Sequence, residues 1–533
     1  MSAQRVRLVA ERVLGGGAFA EIGRPCGVFA GGGGLVAIAG SFDPFYWAGR
    51  ASYHGHRLRY RLCLYDERTR ARVGVLDAAR FPITAVAFHP TEPIVAVGTG
   101  SYDGGYLYEG ELLLWNHRSG ELRNLLGESR EVDGCRFLPD GRLSMLLRPH
   151  DDQEFDAIGG AGAFVACVID PRDPAPRTTR GKDPRLADLR PVDPRACGFD
   201  GEGVSPGMPG VPALAASWSL AFEERHRVWD VAWADDDLLM LVLDDCLAEI
   251  WSAGGARLGR HEGPDQGVQI FAGQPMLVHA IRRKVPMYGW GPSSLWTVTP
   301  DSARELHRFE EPLTLSRAAD GSLLGRRTRH GEDPWRDVVA GADGVGRRVL
   351  DLGGYDTFNH YLRVDGWHSH LYLAGRIGRT HKEKRLMASS PGGESQRQLW
   401  PWDQSDVHRM ESVACLAGPD QLVAGYRLWD QHPGKGQAFI ESRALAGGAT
   451  KWSIPVEAGV TALAIVPERS CVLFALLGGR IGALALASGE LLWEEPAAID
   501  GLPTIVSALA VNGDRVAAGT MCGRVILFRV VNE

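Results

Sequence analysis

Ten times along this chain a short apolar strand runs into a turn built of Gly, Pro or Asp and returns as a second apolar strand. The instances lie at 28–40, 86–98, 135–147, 231–243, 269–281, 314–325, 362–375, 415–426, 464–476 and 508–519, as in VAFHPTEPIVAVG and AIVPERSCVLFAL. They recur roughly every 40 to 60 residues, with one gap of about 95, which is room for four strands per repeat. A unit of that size cannot bury its own apolar faces, so successive units must stack on one another.

The remainder of each interval supplies the other two strands. Third strands read ELLLW (111–115), CLAEIW (246–251), SSLWTV (293–298) and RIGALAL (480–486), and fourth strands follow a second turn in RSGELRNLL (118–126), GGARLGR (254–260) and SGELLWEE (488–495). We name the four strands a to d from the hub outward. Runs such as VLFALL alternate weakly, as strands buried on both faces do, and no long amphipathic helix pattern intervenes. Gly 67 against Pro 31 suits a fold made of tight turns. The expected fold is therefore all-β, a β-propeller of four-stranded antiparallel blades with ten units in one ring; two smaller propellers are the alternative. The last unit shows only strands a, b and c, which leaves a bare edge. QRVRLVA at 4–10 is expected to cover it as the outer strand of that blade. The stretch 170–227, crowded with Pro, Gly, Asp and Arg up to 210, departs from the period. It is expected to be an insertion after the third c strand, disordered or draped on the surface, with a short helix in 211–227.

LLLWNHRSGEL (112–122) and LYDERTRARVGVL (64–76) resemble the WD-and-turn segment of a WD40 blade, whereas ALASGELLWEE (485–495) is more similar to a quinoprotein-type blade that ends in tryptophan. The resemblance to the WD40 and related quinoprotein-like propellers covers nearly the whole chain. The GH dipeptide and the buried WD aspartate of regular WD40 repeats are mostly missing, so the resemblance is to a divergent propeller. It implies a fold, and fold alone does not give function. Quinoprotein dehydrogenases are secreted and calcium-dependent as a family, and only one or two blades here are similar to theirs, so that activity is not expected.

Composition narrows the function further. Hydrophobic residues at 44% and charged residues at 23% are those of a folded chain. A net charge of -7 gives no overall basic surface, so nucleic acid or membrane binding would need a local patch. No apolar run approaches the roughly 18 to 20 residues of a membrane helix, and MSAQRVRLVAERVLGGG lacks a secretory h-region; the expected compartment is the cytoplasm. Nine cysteines are scattered without a CxxC pair, which excludes the usual zinc and redox motifs. Cys135, Cys246, Cys415 and Cys471 sit in apolar runs and are expected to be small core side chains.

Catalytic signatures are weak. GVSPG at 203–207 matches G-x-S-x-G in letters only, because Ser205 has neither the preceding strand nor the following helix of a nucleophile elbow. No P-loop occurs, and HPGKGQ at 432–437 is a short basic turn. His54 and His56, and likewise His368 and His370 near His360 and Asp365, have a one-residue spacing that would place two imidazoles on one face of a strand. No third ligand is fixed by spacing, so no metal and no cofactor is expected. Asp235, Asp236 and Asp237 read as a solvated a-to-b turn.

Extra length concentrates in one structural position, the b-to-c connection, at 41–60, 100–110, 148–162, 282–294, 326–337, 376–385 and 426–437. In a four-stranded blade these connections emerge on one end of the ring. That face would carry Phe45, Tyr46, Trp47, Tyr102, Tyr106, Tyr108, Trp290, Trp335 and Trp429 beside Arg282, Arg283, Arg326, Arg327 and further Lys and Arg residues through Arg385. Tyr, Trp and Arg anchor protein interfaces, so the expected function is a non-enzymatic scaffold that docks other proteins there within a cytosolic assembly. Packing of the loops on one another is the structural alternative. The functional alternatives are an anionic ligand or nucleic acid on the basic loops of units five to seven, and a divergent propeller enzyme with a site in the central channel.

Overall fold

Apolar strands this short find their partners only in antiparallel hairpins, and the glycines of the turns make the hairpins tight. Gly120 in RSGEL and Gly489 in ASGEL hold φ of 79° and 74°, a conformation that only glycine takes at no cost. The computed structural model describes residues 6–532 except 32, 43–57, 103–107, 128–129, 158–163, 173–189, 193–198, 200–209, 245, 274, 283–290, 328–336, 342–344, 346–347, 351, 353–363, 375–383, 403–407 and 430–436. Ten blade-like sheets result, nine of four strands and one of three. The first runs Arg24–Ala30, Leu35–Ser41, Tyr60–Asp66 and Arg72–Ala79, and the others repeat that order down the chain. Among the described residues the seventh has strands b, c and d, at His370–Ala374, Arg385–Ser389 and Gln396–Pro401. Before its strand b, the Asp365 carboxylate accepts from the Arg317 amide of the sixth sheet at 2.9 Å.

The sheets divide into two compact units. One holds the N-terminal strand and everything from Arg225 onward, that is, sheets four to ten; the other holds sheets one to three, within residues 17–224. This division replaces the single ring of ten expected from the sequence, and its physical reason lies where sheet ten meets sheet four.

Where many of the consecutive sheets join, one local device recurs. Strand a carries a β-bulge near its start, at Cys26, Thr84, Asp133, Trp229, Val268, Ser412, Thr461 and Ser507. A bulge re-aims the extra side chain, and a hydroxyl there reaches the next sheet. Thr84 Oγ1 donates to the Val132 carbonyl at 2.5 Å, from sheet two to sheet three, and Thr461 Oγ1 to the Val506 carbonyl at 2.5 Å, from nine to ten. Ser507 Oγ donates to the Val228 carbonyl at 2.7 Å, from ten to four. A strand b glycine opens space for the first valine of the next sheet. A Cβ on Gly98 would meet Val132 at 2.7 Å, one on Gly425 would meet Val460 at 2.6 Å, and one on Gly519 would meet Val228 at 2.5 Å. Sheet ten therefore treats sheet four as its successor, and the seven sheets close on themselves. At the other end of the seam, Asn512 Nδ2 and Arg515 Nη1 donate to the Asp236 carboxylate at 3.1 Å and to its carbonyl at 2.6 Å.

The N-terminal strand, Val6–Leu14, pairs antiparallel with Val525–Asn532 as the outermost strand of sheet ten. Leu8 and Leu14 are 3% and 2% exposed, and Leu14 packs with Val228, Leu241, Ala508 and Val525 across the seam. Just beyond that strand lies Arg225, 7% exposed. Its guanidinium donates to the Gly523 carbonyl at 3.0 Å and pairs with Glu249, wholly buried in sheet four, at 2.5 Å. Burial alone would raise the Glu249 carboxyl; Arg225, the Trp251 indole and Arg260 more than offset it, so it lies below its ordinary value.

In the other unit, sheet one packs on sheet two and sheet two on sheet three. Both outer faces of this trio are covered by the stretch expected to be an insertion. Val211, Leu214, Ala215 and Trp218, from and beside the helix Val211–Ser217, pack with Val28, Val36, Ile38 and Tyr65 of sheet one. On sheet three, Phe199 lies against Gly134, with the Arg136 guanidinium 5.6 Å from its ring centre. Arg190–Val192 pairs with strand c of sheet three, so the expected loop contains that sheet's strand d. The surface role expected for 170–227 thus gives way, where the residues are described, to that of a strand and two caps.

Every described cysteine is free. Burial pushes the Cys63, Cys135 and Cys415 thiols up to about 12. Cys522, in the b-to-c turn of sheet ten, goes the other way: burial would raise it, but Arg524 at 3.2 Å and the Thr520 and Thr504 hydroxyls outweigh that.

Two variants test the seam. Deleting residues 1–12 exposes the edge of Val525–Asn532 and is expected to lower the melting temperature markedly; an unchanged melt would show that the strand closes nothing. Arg225→Met leaves the Gly523 carbonyl without its partner and Glu249 with less compensation. It is expected to cost about 3 kcal/mol, read as a shift of several degrees in thermal denaturation.

Candidate interaction face

Strand b runs directly into strand c in sheets four, nine and ten, whereas the other seven sheets carry the long connections. Most of the aromatic residues expected on these loops, Phe45, Tyr46, Trp47, Tyr106, Trp290 and Trp335, lie outside the described residues, as does Arg283. Trp429 and Arg327 end strands b of sheets eight and six.

The described part of the face belongs to sheets two and three. After strand b of sheet two, Ser101–Tyr102 pairs with Tyr108–Glu109 in a small hairpin of its own. It turns toward the b-to-c connection of sheet three, where the Tyr108 amide donates to the His150 carbonyl at 3.1 Å. The Tyr102 and Tyr108 rings lie 4.6 Å apart, and Tyr108 stacks on Phe155 at 6.2 Å. Phe155 is carried by the helix Asp152–Ala157, whose first turn is fixed by the Asp151 carboxylate accepting from the Glu154 amide at 2.8 Å. The Tyr102 hydroxyl donates to the Asp152 carboxylate at 3.3 Å, and the residue remains 42% exposed. Neighbouring loops thus pack on each other here, while one ring stays open to solvent.

A polar layer lies beneath the rings. Arg130, buried, pairs with Glu154 at 2.8 Å, and Arg148 pairs with Asp133 at 3.2 Å while lying 4.2 Å from the Phe164 ring centre. Glu131 is wedged between the ends of the aromatic connection: a Cβ on Gly100 would collide with its side chain, and one on Gly110 with its backbone. Burial first, then the Asp133 charge, raises the Glu131 carboxyl to about 7 against the pull of Arg148. Asp133 itself is raised by burial. Sequence reasoning missed Phe155, Asp152 and Glu131. The close glycines of YEGEL and VGTGS were the available sign that something must approach there.

The basic residues fare differently. Arg282 pairs with the buried Asp265 at 2.9 Å, and Arg308 and the Ser294 hydroxyl share that carboxylate. Arg326 is 4% exposed, donates to the Leu373 carbonyl at 2.5 Å and lies 4.9 Å from the Tyr372 ring centre. It ties sheet six to sheet seven and is not part of a surface. Lys384 is fully buried. The basic sector inferred from sequence thus has several of its cations turned inward.

His370 is buried with Nε2 3.2 Å from the Ser322 hydroxyl, and the His368 ring lies tilted against Trp367 at 3.9 Å, so the pair does not converge. Ser205, His54, His56 and His360 lie outside the described residues. Among the described residues no three His, Cys, Asp or Glu side chains come together as a metal site, and no helix is long and apolar enough to cross a membrane. Asp237 is solvated, as expected of its turn, but Asp236 belongs to the seam.

The sheets and their order define the class, an all-β protein built of four-stranded antiparallel blades of the β-propeller type. No family model and no curated protein matches the sequence. Among solved structures the chain is similar to the WD40 repeats of RRP9, at 12% identity over 58% of this chain and 96% of that one, with a TM-score of 0.43. It is also similar to U3-55K, at 12% identity over 58% and 97% with a TM-score of 0.42, and to the WD40 propeller domain of Doa1, at 13% over 57% and 92% with 0.39.

The polar layer predicts a pH dependence. Between the ordinary carboxylate value of 4.5 and about 7, Glu131 is protonated in the fold and ionised in the unfolded chain, so stability falls as pH rises through that window. Glu131→Gln is therefore expected to melt higher than wild type at pH 8, with the gap closing toward pH 5. A gap independent of pH would contradict the assignment.

Proposed function

We propose that this protein is a non-enzymatic interaction scaffold of a cytosolic assembly, which docks protein partners on its long b-to-c connections. The observation that carries the reading is where the chain departs from its own repeat. Strands and a-to-b turns are held to a narrow pattern, while seven of ten b-to-c connections are elongated and five of those seven carry Tyr or Trp. Rigid sheets that display variable loops are a usual arrangement for binding, and large aromatic rings supply the energy of protein interfaces. The open Tyr102 ring is the described instance.

A pull-down that compares wild type with a Trp47→Ala, Tyr106→Ala, Trp290→Ala triple variant tests the face. Recovery of partners is expected to fall at least tenfold with the melt unchanged; undiminished recovery rejects this face as the docking surface.

A further inference from the structure

The described loops of sheets two and three differ in charge from the rest of the proposed face. We propose that the patch formed by Tyr102, Tyr108 and Phe155 with Asp152 binds a basic segment of a partner protein, a Lys or Arg side chain lying against the Tyr102 ring with its charge toward Asp152. This rests on the reading of the b-to-c face as a protein-docking surface.

Three observations converge on it. The rings form a continuous stack, Tyr102 on Tyr108 at 4.6 Å and Tyr108 on Phe155 at 6.2 Å, and the stack ends in the exposed Tyr102. A cation is attracted to such a ring face. The carboxylate at the open end is Asp152, held by the Tyr102 hydroxyl at 3.3 Å and therefore already placed beside the ring. Among the described residues, Arg130 is paired to Glu154 and Arg148 to Asp133, while Glu109, Asp151, Asp152 and Asp156 adjoin the ring residues in sequence. An aromatic surface with uncompensated negative charge is complementary to a basic segment and repels an acidic one.

The test uses the full chain and a fluorescein-labelled twelve-residue peptide of alternating Lys, Arg and Gly, with an acidic peptide of equal length as control, followed by anisotropy. The basic peptide is expected to bind and the acidic one not. Tyr102→Ala is expected to weaken binding about three- to fivefold, as loss of an exposed cation–π contact would, and Asp152→Lys about tenfold or more. Asp237→Lys makes the same charge change at an exposed a-to-b turn and is expected to leave affinity within about twofold, which separates local recognition from general attraction to an acidic protein. Equal effects of Asp152→Lys and Asp237→Lys, or no effect of Tyr102→Ala in a protein that melts like wild type, overturn the proposal. If the triple variant loses its partners but the basic peptide does not bind, this inference fails and the scaffold reading stands. If the peptide binds through Tyr102 and Asp152 while partner recovery is undiminished, the patch is a basic-segment site and the wider face is not the docking surface.

Discussion

A hydroxyl on the bulge of one inner strand, donated to the first carbonyl of the next, decides how this chain is put together. Thr84, Thr461 and Ser507 all make that bond, and the first two make it to the sheet that follows them in sequence. Ser507 makes it to Val228, more than half the chain away, and the Gly519 gap admits the same valine. Because the seam between sheets ten and four repeats the hydroxyl bond and the glycine gap of the joint between sheets two and three, it needs no special chemistry of its own. It needs only that the edge beyond it be covered, and the strand Val6–Leu14 does this. Arg225 then locks the corner where that strand ends, with one guanidinium serving both Gly523 and Glu249.

A closed set of seven leaves three sheets to make a unit by themselves, placed in sequence between the closing strand and the rest. Three stacked sheets have two faces with no neighbouring sheet, and apolar faces left in water are a liability. The segment 190–222 answers that need with a d strand, the Phe199 ring and the helix Val211–Ser217. It looked like a spacer because its Pro and Gly content hides two short apolar stretches. It is also why a repeat count alone could not divide the chain: all ten units obey one pattern, and the division depends on which valine fills which glycine gap.

What was legible follows from range. The a-to-b hairpins are local, set by turn residues between apolar runs, and nine of the ten form as read among the described residues. The seam was in view as ITAVAF, VTALAI and VSALAV share a hydroxyl or small residue at one position, but its partner is a matter of tertiary choice. Charge misled where strands ran longer than expected: Arg326 sits in a strand b and turns inward onto Tyr372, although RRTRH reads as a basic loop. The tyrosines of SYDGGYLYEG were correctly placed on a b-to-c connection, yet the stack with Phe155 joins two loops about fifty residues apart, which no local pattern encodes.

The central claim is that sheets ten and four form one cooperative seam with the N-terminal strand. Native-state hydrogen exchange, followed by mass spectrometry on peptides covering 6–14, 228–233 and 525–532, tests it most directly. All three are expected to exchange together, at the rate of global opening of the seven-sheet unit. Fast exchange of 6–14 and 228–233 while 525–532 stays protected would contradict it.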